Sequence, residues 1–389
     1  MSGARSILVS GAGIAGCAAA IALAERGHAI RLIERQEEWA FASSGIFLYS
    51  NALVSLEMLG VLEEILAVGF VVPEGRNRYL DHHGEPIVTT HYPPAEGGRV
   101  PAIVGIKRAE LHRVLAHRMS QVGVEVELGT TIVDLVDGAE SVRVVTSDDE
   151  VRVHDLVVSC EGLGSPLRQH VAPGVHASYS GFGIWRSVHA RPGDLTDKIM
   201  QMGTGTRFGI MPISHDRLYT FGTVSDPGKT WHERADWPRL MREALAEYAG
   251  PARAFLDELD ETSDVLYTAV DEVLLPLPWH RGRVALIGDA AHAGTPFMGQ
   301  GGAMALEDAL VLADCLEDAD LEAALTLFEE IRYPVCVYAQ DVSRRVGESG
   351  ARSDGSVTER EAFAAAAQGA VDEFYAQLDR LRGQQAPGR

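Results

Sequence analysis

The sequence predicts an α/β fold carrying an inserted antiparallel sheet, and three observations lead there. A short apolar run at Ser6–Ser10 enters Gly11-Ala12-Gly13-Ile14-Ala15-Gly16 and then an apolar helix. A second strand with a glycine-rich turn follows far downstream, from Arg283 to Gly302. Between Ser178 and Asp226, several strand-like runs alternate with turn residues. At 389 residues the chain has room for two or three domains, or one large domain with an insertion. Hydrophobic residues make up 46% and charged residues 23%, a globular balance that excludes disorder, collagen-like repeats and a membrane bundle.

The first motif reads as strand, glycine turn, helix, strand and acid in order. Gly11 makes the turn, Gly13 admits a pyrophosphate to the backbone, and Gly16 lets helix and strand approach. Ile14 and Ala15 belong to the same glycine turn, ahead of a helix whose N-terminus would face the phosphates. That helix runs through Ala18–Arg26 to Gly27, and Ala29–Ile33 is the second strand. Glu34 closes this strand 18 residues after Gly16, with Arg35 beside it. An acid at this place accepts hydrogen bonds from a ribose hydroxyl and disfavours a 2′-phosphate. The motif alone leaves NAD and FAD open. The charge-free stretch Ser6–Ala24 imitates a signal peptide or a short membrane span, but its three motif glycines would punctuate a spanning helix.

Lys plus Arg is 34 and Asp plus Glu is 55, a net charge of −21 that would repel phosphate backbones and anionic lipid, so neither nucleic acid nor membrane is an expected partner. From Val284 to Glu330 there is no Lys or Arg, while ten acids accumulate, among them Glu307, Asp308, Asp318 and Glu329; most read as a solvated helix face. The four cysteines show no CxxC or Cys/His spacing, which predicts no zinc site and no disulfide framework and fits a reducing cytoplasm.

The stretch RVALIGDAAHAGTPFMGQGGAMALEDA, Arg283–Ala309, resembles the second FAD motif of the single-component, class A flavoprotein monooxygenases, the group of para-hydroxybenzoate, salicylate and urate hydroxylases. The resemblance implies a Rossmann-like FAD-binding fold of the glutathione-reductase type with an inserted antiparallel-sheet substrate domain. It places Asp289 on the ribityl chain of FAD, Pro296 at the flavin face where oxygen reacts, and Gly299, Gly301 and Gly302 at the pyrimidine end of the ring. It makes His292 mostly a structural part of the motif. Gly45-Ile46-Phe47-Leu48-Tyr49-Ser50-Asn51-Ala52 resembles the segment running past the flavin, and Arg108 in Arg108-Ala109-Glu110-Leu111 resembles the arginine that approaches FAD. The third family motif is similar to Leu156–Arg168, with Gly162, Ser165 and Arg168 as expected but Glu161 where the family has Asp. That departure bears on reductant affinity and specificity.

Motifs at 11, 161 and 289 must share one ligand, so the domains are expected to interleave. Segments 1–70, 100–175 and 270–345 form the FAD-binding domain, 71–99 and 176–269 the substrate-binding sheet, and 346–389 a C-terminal helix and polar tail. In the family such a sheet roofs the substrate, which makes Trp185, Met211 and Phe221 candidate lining residues and Arg186 a partner for a carboxylate or phenolate. Tyr219 is the candidate for orienting a substrate hydroxyl, and with Pro296 it makes up the catalytic pair. The implied activity is hydroxylation of a small aromatic or heteroaromatic, phenolic substrate by O₂ through a flavin C4a-hydroperoxide, with NADH or NADPH as transient reductant and no metal. Epoxidation, oxidative decarboxylation and a non-catalytic flavin-binding protein are the alternatives. A monomer or homodimer is expected.

Overall fold

A computed structural model describes residues 3–39, 44–317 and 320–383. Its organising element is a six-stranded sheet in the order His280–Arg281, Val284–Leu286, Leu156–Ser159, Ser6–Ser10, Ala29–Glu34, Glu125–Leu128. All neighbours run parallel except the first pair. The central strands are apolar on both faces, as a parallel sheet covered on both sides requires. Ile7, Leu8, Val9, Val157, Val158, Val284 and Leu286 are accordingly at or near zero exposure. The helices Ile14–Glu25 and Gly301–Cys315 pack against each other over this core.

The register of this sheet positions the site. Ser10 pairs with Ser159 and with Ile33, and Ser159 pairs with Leu286. The residues that follow, Gly11, Cys160-Glu161 and Ile287-Gly288, therefore leave the sheet side by side at its carboxyl edge, where ligands of open α/β sheets bind. Three motifs separated by more than a hundred residues each meet on one line.

The second sheet has seven strands, in the order Val265–Glu272, Ser178–Ala190, Arg217–Ser225, Arg207–Pro212, Lys198–Met202, Arg76–Asp81, Pro86–His91. The strand-like runs in the sequence at Tyr179–His189, Lys198–Met202, Thr206–Pro212 and Leu218–Val224 form four of these strands, each end within one residue. The sheet is mixed, not wholly antiparallel: Lys198–Met202 pairs parallel with Arg76–Asp81. The strand Ser178–Ala190 that opens the second visit to this sheet runs opposite to Arg76–Asp81, and the reversal after it brings Lys198–Met202 alongside Arg76–Asp81 in the same direction. One face packs on the helices Trp237–Ala244 and Pro251–Asp257. The other faces the strands Gly45–Tyr49 and Ile103–Lys107 of the first half, so closely that a Cβ at Gly105 would stand 1.9 Å from the Pro212 carbonyl oxygen.

The C-terminal boundary expected at 345/346 falls inside one continuous helix, Leu321–Ala351, in which Pro334 is accommodated. A last helix, Val357–Gly383, lies along the edge strand Pro86–His91. It is tied there by Arg360 to Asp81, and to the nucleotide half by Arg382 to Glu307 at 2.5 Å. The end of the expected polar tail, 384–389, lies outside the described residues. Among the described residues no helix is long and apolar enough to cross a membrane.

Candidate active site

The glycines of the first turn divide by what surrounds them. Gly11 has φ of 100°, and a Cβ there would meet the Cys160 carbonyl oxygen at 2.6 Å; a Cβ on Gly16 would stand 1.8 Å from the Gly11 oxygen. These two are demanded by the fold. Gly13 has ordinary φ, and nothing lies within 4 Å of where its Cβ would be. Across the edge, nothing lies within 4 Å of the Cβ positions of Gly162 and Gly164 either, although Gly162 is left-handed at φ 72°. This cradle of bare backbone at a helix N-terminus suits a diphosphate. Ile14 and Ala15 are half-buried on the first turn of the helix, and Arg35 is exposed. Glu34 accepts from the Ala12 N–H at 2.8 Å and from the Gln36 N–H at 3.0 Å, which fixes its carboxylate beside the turn.

Glu161 holds the second turn. Its carboxylate accepts hydrogen bonds from three hydroxyls, Ser10 at 2.7 Å, Ser165 at 2.7 Å and Ser159 at 3.1 Å. The glutamate thus knits two strand ends and the following turn, a job suited to its extra methylene. Arg168 is 4% exposed and donates to the carbonyls of Ala290 at 2.8 Å and Leu163 at 2.8 Å, locking this turn to the next one.

The third turn opens the short helix Asp289–His292, with Asp289 exposed at the shared edge. Pro296–Met298 forms a 3₁₀ turn and Gly299 is left-handed at φ 65°, its Cβ position 2.9 Å from the Tyr49 ring. Gly301 and Gly302 then start a long helix, with the Cβ position of Gly302 3.4 Å from Ile46. The loop 296–302 and strand Gly45–Tyr49 therefore face each other. Behind the loop, the expectation of a solvated acidic face fails at two positions, since Asp308 is fully buried and Glu329 is 5% exposed; Asp318 lies outside the described residues. Asp308 accepts from His292 Nε2 at 2.6 Å, the Gly288 N–H at 2.8 Å and Arg332 Nε at 2.7 Å. His292, Asp308 and Cys336 are close enough to suggest a metal cluster. Arg332 already supplies the positive charge and occupies the carboxylate, so the group reads as a buried ion-pair network that shapes the loop. His292 has the structural place expected of it; Asp308 reads in the sequence as one more solvated acid and Arg332 carries no signal there, and only the burial of their helices reveals them.

The roof is sorted by strand alternation. Met211 pairs with Tyr219, and Arg186 with Phe221, on the face turned toward strand Gly45–Tyr49. Phe47 touches Tyr219 and Phe221 with ring centroids 6.0 and 5.5 Å apart, and the Gly45 Cβ position lies 2.6 Å from Tyr219. Tyr219 is 6% exposed, and burial pushes its phenol above the usual range against the pull of Arg186 and Arg108. Arg186 also donates to Thr268 Oγ1 at 2.9 Å. Arg108 is exposed at the start of its helix; Glu110, its alternative partner, is taken by Arg113. Trp185 does not join this group. It points to the other face, 2% exposed against Tyr267 and His232, because it is one residue out of phase with Arg186.

Known proteins resemble the chain over most of its length. The family described as FAD binding domain matches residues 5–327. The chain is 32% identical over 341 residues to the FAD-dependent urate hydroxylase of Mycolicibacterium vanbaalenii, 84% of each chain, and 32% identical over 350 residues to 2-heptyl-3-hydroxy-4(1H)-quinolone synthase of Pseudomonas aeruginosa, 89% of each. The solved structure of a single-residue variant of Klebsiella pneumoniae HpxO complexed with FAD superposes with a TM-score of 0.84 at 25% identity, covering 98% of this chain and 99% of that one. The chain therefore belongs to the FAD-binding family of class A, FAD-dependent aromatic monooxygenases.

Proposed function

We propose that this enzyme inserts one oxygen of O₂ into a small electron-rich aromatic or heteroaromatic ring held between the roof face of Arg186, Met211, Tyr219 and Phe221 and the loop 296–302. The observation that carries this reading is the convergence of the roof aromatics Tyr219 and Phe221 on Phe47, directly above the strand that faces the loop. The urate and quinolone chemistry named for the relatives supports a nitrogen-containing or phenolic ring.

FAD, reduced by NAD(P)H, supplies the oxygen-activating chemistry when bound. Gly11, Gly13, Ile14, Ala15 and Gly16 would hold its diphosphate, Glu34 and Arg35 its adenosine end, and Asp289 its ribityl chain. Gly45, Arg108, Gly299, Gly301 and Gly302 would surround its ring. The N-terminus of the helix Gly301–Cys315 favours negative charge beside those glycines. Tyr219 stays protonated because it is buried, so it donates to a ring hydroxyl or carbonyl oxygen and fixes the carbon to be attacked. Arg186 neutralises charge that develops on that oxygen. Phe47, Met211, Phe221 and Pro296 exclude water around the ring.

The test is NADH and NADPH oxidation by the FAD-loaded protein across phenolic acids, purines and hydroxylated heteroaromatics, with products weighed by mass spectrometry. Stimulated oxidation with a gain of one oxygen is expected. A protein that keeps FAD and is stimulated by no ring compound speaks against the proposal.

A further inference from the structure

Lys198 is a cation buried without an anion. It is 5% exposed, yet its ammonium makes no ion pair among the described residues. It donates to the Tyr49 hydroxyl at 2.9 Å and lies 5.1, 5.4 and 5.1 Å from the ring centroids of Phe47, Tyr49 and Tyr92. The neighbouring Asp197 is committed to Arg76 at 3.0 Å. Lysines are almost never this buried unless paired, and the attraction of ring faces and one phenol oxygen falls short of what a desolvated ammonium loses. Such a group is built to receive an anion that is not part of the protein.

Its place says which anion. The register that pairs Ile199 with Ile210 and Met211 with Tyr219 sets Lys198 on the same roof face as Met211 and Tyr219. Phe47 carries the ammonium over its ring and meets Tyr219 and Phe221 as well. Lys198, Phe47, Tyr219 and Phe221 thus form one continuous wall of the proposed ring pocket. The side chain comes from the roof, not from the glycine turns of the floor, so the anion it suits arrives with the substrate. We propose that Lys198 is a specificity-determining residue that recognises a ring substrate carrying a carboxylate, with the carboxylate directed to the Lys198 side of Phe47 and the reacting edge to Tyr219. This rests on the reading of the cleft as the ring-oxygenating site.

The test titrates the full-length, FAD-loaded protein with benzoate, salicylate and nicotinate, each against its own carboxamide, by perturbation of the flavin absorbance. At least one acid is expected to bind about tenfold or more tightly than its amide. Lys198→Met removes that preference, Lys198→Arg keeps part of it, and amide binding, FAD content and the flavin midpoint potential hold. Lys198→Gln replaces Lys198→Met if the latter does not retain FAD. The proposal is overturned if no acid is preferred by the wild type, if the neutral variants keep the preference, or if the midpoint potential moves while acid binding does not, which would assign Lys198 to the flavin. NAD(P)H oxidation on the same preparations separates the two readings. Ring-stimulated oxygenation without acid preference sinks the role of Lys198 alone, whereas acid preference without any stimulated turnover sinks the reaction and leaves the anion site standing.

Discussion

His292 and Asp308 stand 2.6 Å apart in a part of the core that water does not reach, with Arg332 on the other oxygen of the carboxylate. Burial opposes both charges, yet His292 and Arg332 hold Asp308 down to about 2, and Cys336 with Asp308 holds His292 well above its usual range. Because Asp308 also accepts the Gly288 N–H, the pair fixes the turn that presents Asp289. Removing one member strands the other charges, so Asp308→Asn is expected to cost about 3–5 kcal/mol and to weaken FAD retention. The pH dependence follows from the shifts. The contribution of Asp308 is present above its unfolded value near 4 and is lost as pH falls through about 2. That of His292 is full below about 6.5 and fades as pH rises toward its elevated folded value. Thermal melts of wild type and Asp308→Asn between pH 4 and 9 should differ most between about 4 and 6.5; a constant gap across this range sinks the assignment.

Gly13 and Gly16 should separate binding from folding. Gly16→Ala drives a methyl into the Gly11 oxygen, 1.8 Å away, and is expected to yield little soluble protein. Gly13→Ala meets nothing within 4 Å and has φ of −70°, so the melting temperature of the flavin-free protein should stay within a few degrees. Its affinity for FAD should fall at least about tenfold, since the methyl occupies the approach to the backbone. Fluorescence titration with FAD measures this, and unchanged affinity would move the diphosphate elsewhere.

Local signals carried most of the nucleotide half. Gly16 is legible because the backbone that excludes its Cβ, that of Gly11, belongs to the same turn, whereas the Cys160 carbonyl that excludes a Cβ at Gly11 arrives from another strand; Asp289 and the 299–302 glycines stand out only through their likeness to a family motif. Burial of an acid is not local. Asp308 reads as solvated beside Glu307 in sequence, and only the arrival of Arg332 and His292 from other elements makes its burial possible. Strand phase failed in the same way at Trp185: the strand was correctly placed, but its face depends on which residue opposes Arg186 across the sheet. Lys198 gave no sign, since a cage of Phe47, Tyr49 and Tyr92 is assembled from two segments over a hundred residues away.

Glu161 makes a prediction against the family pattern. Its reach to Ser10, Ser159 and Ser165 depends on side-chain length. Glu161→Asp restores the family residue but withdraws the carboxylate by one methylene from at least one hydroxyl, for an expected loss of about 1–3 kcal/mol. Denaturant unfolding of the flavin-free protein checks the magnitude. If Glu161→Asp is instead as stable as wild type and tightens NADH or NADPH, the glutamate is there to tune the reductant.

Tyr219 and Trp185, on opposite faces of one sheet, should fail differently when changed. Tyr219→Phe keeps the ring against Phe47 and Phe221 and removes only the hydroxyl, so stability should move by about 1 kcal/mol or less while kcat for the best substrate falls on the order of 10²-fold. Trp185→Ala empties a buried site beside Tyr267 and His232, for an expected cost of about 3–5 kcal/mol. Because its face looks away from Phe47, the KM and kcat of the protein that remains folded should match wild type. Steady-state kinetics and chemical denaturation on both variants check these outcomes. A Trp185→Ala enzyme with a raised KM and undiminished stability would place the substrate on the wrong side of the sheet for everything argued about Tyr219, and a Tyr219→Phe enzyme with full kcat would leave the phenol a packing residue.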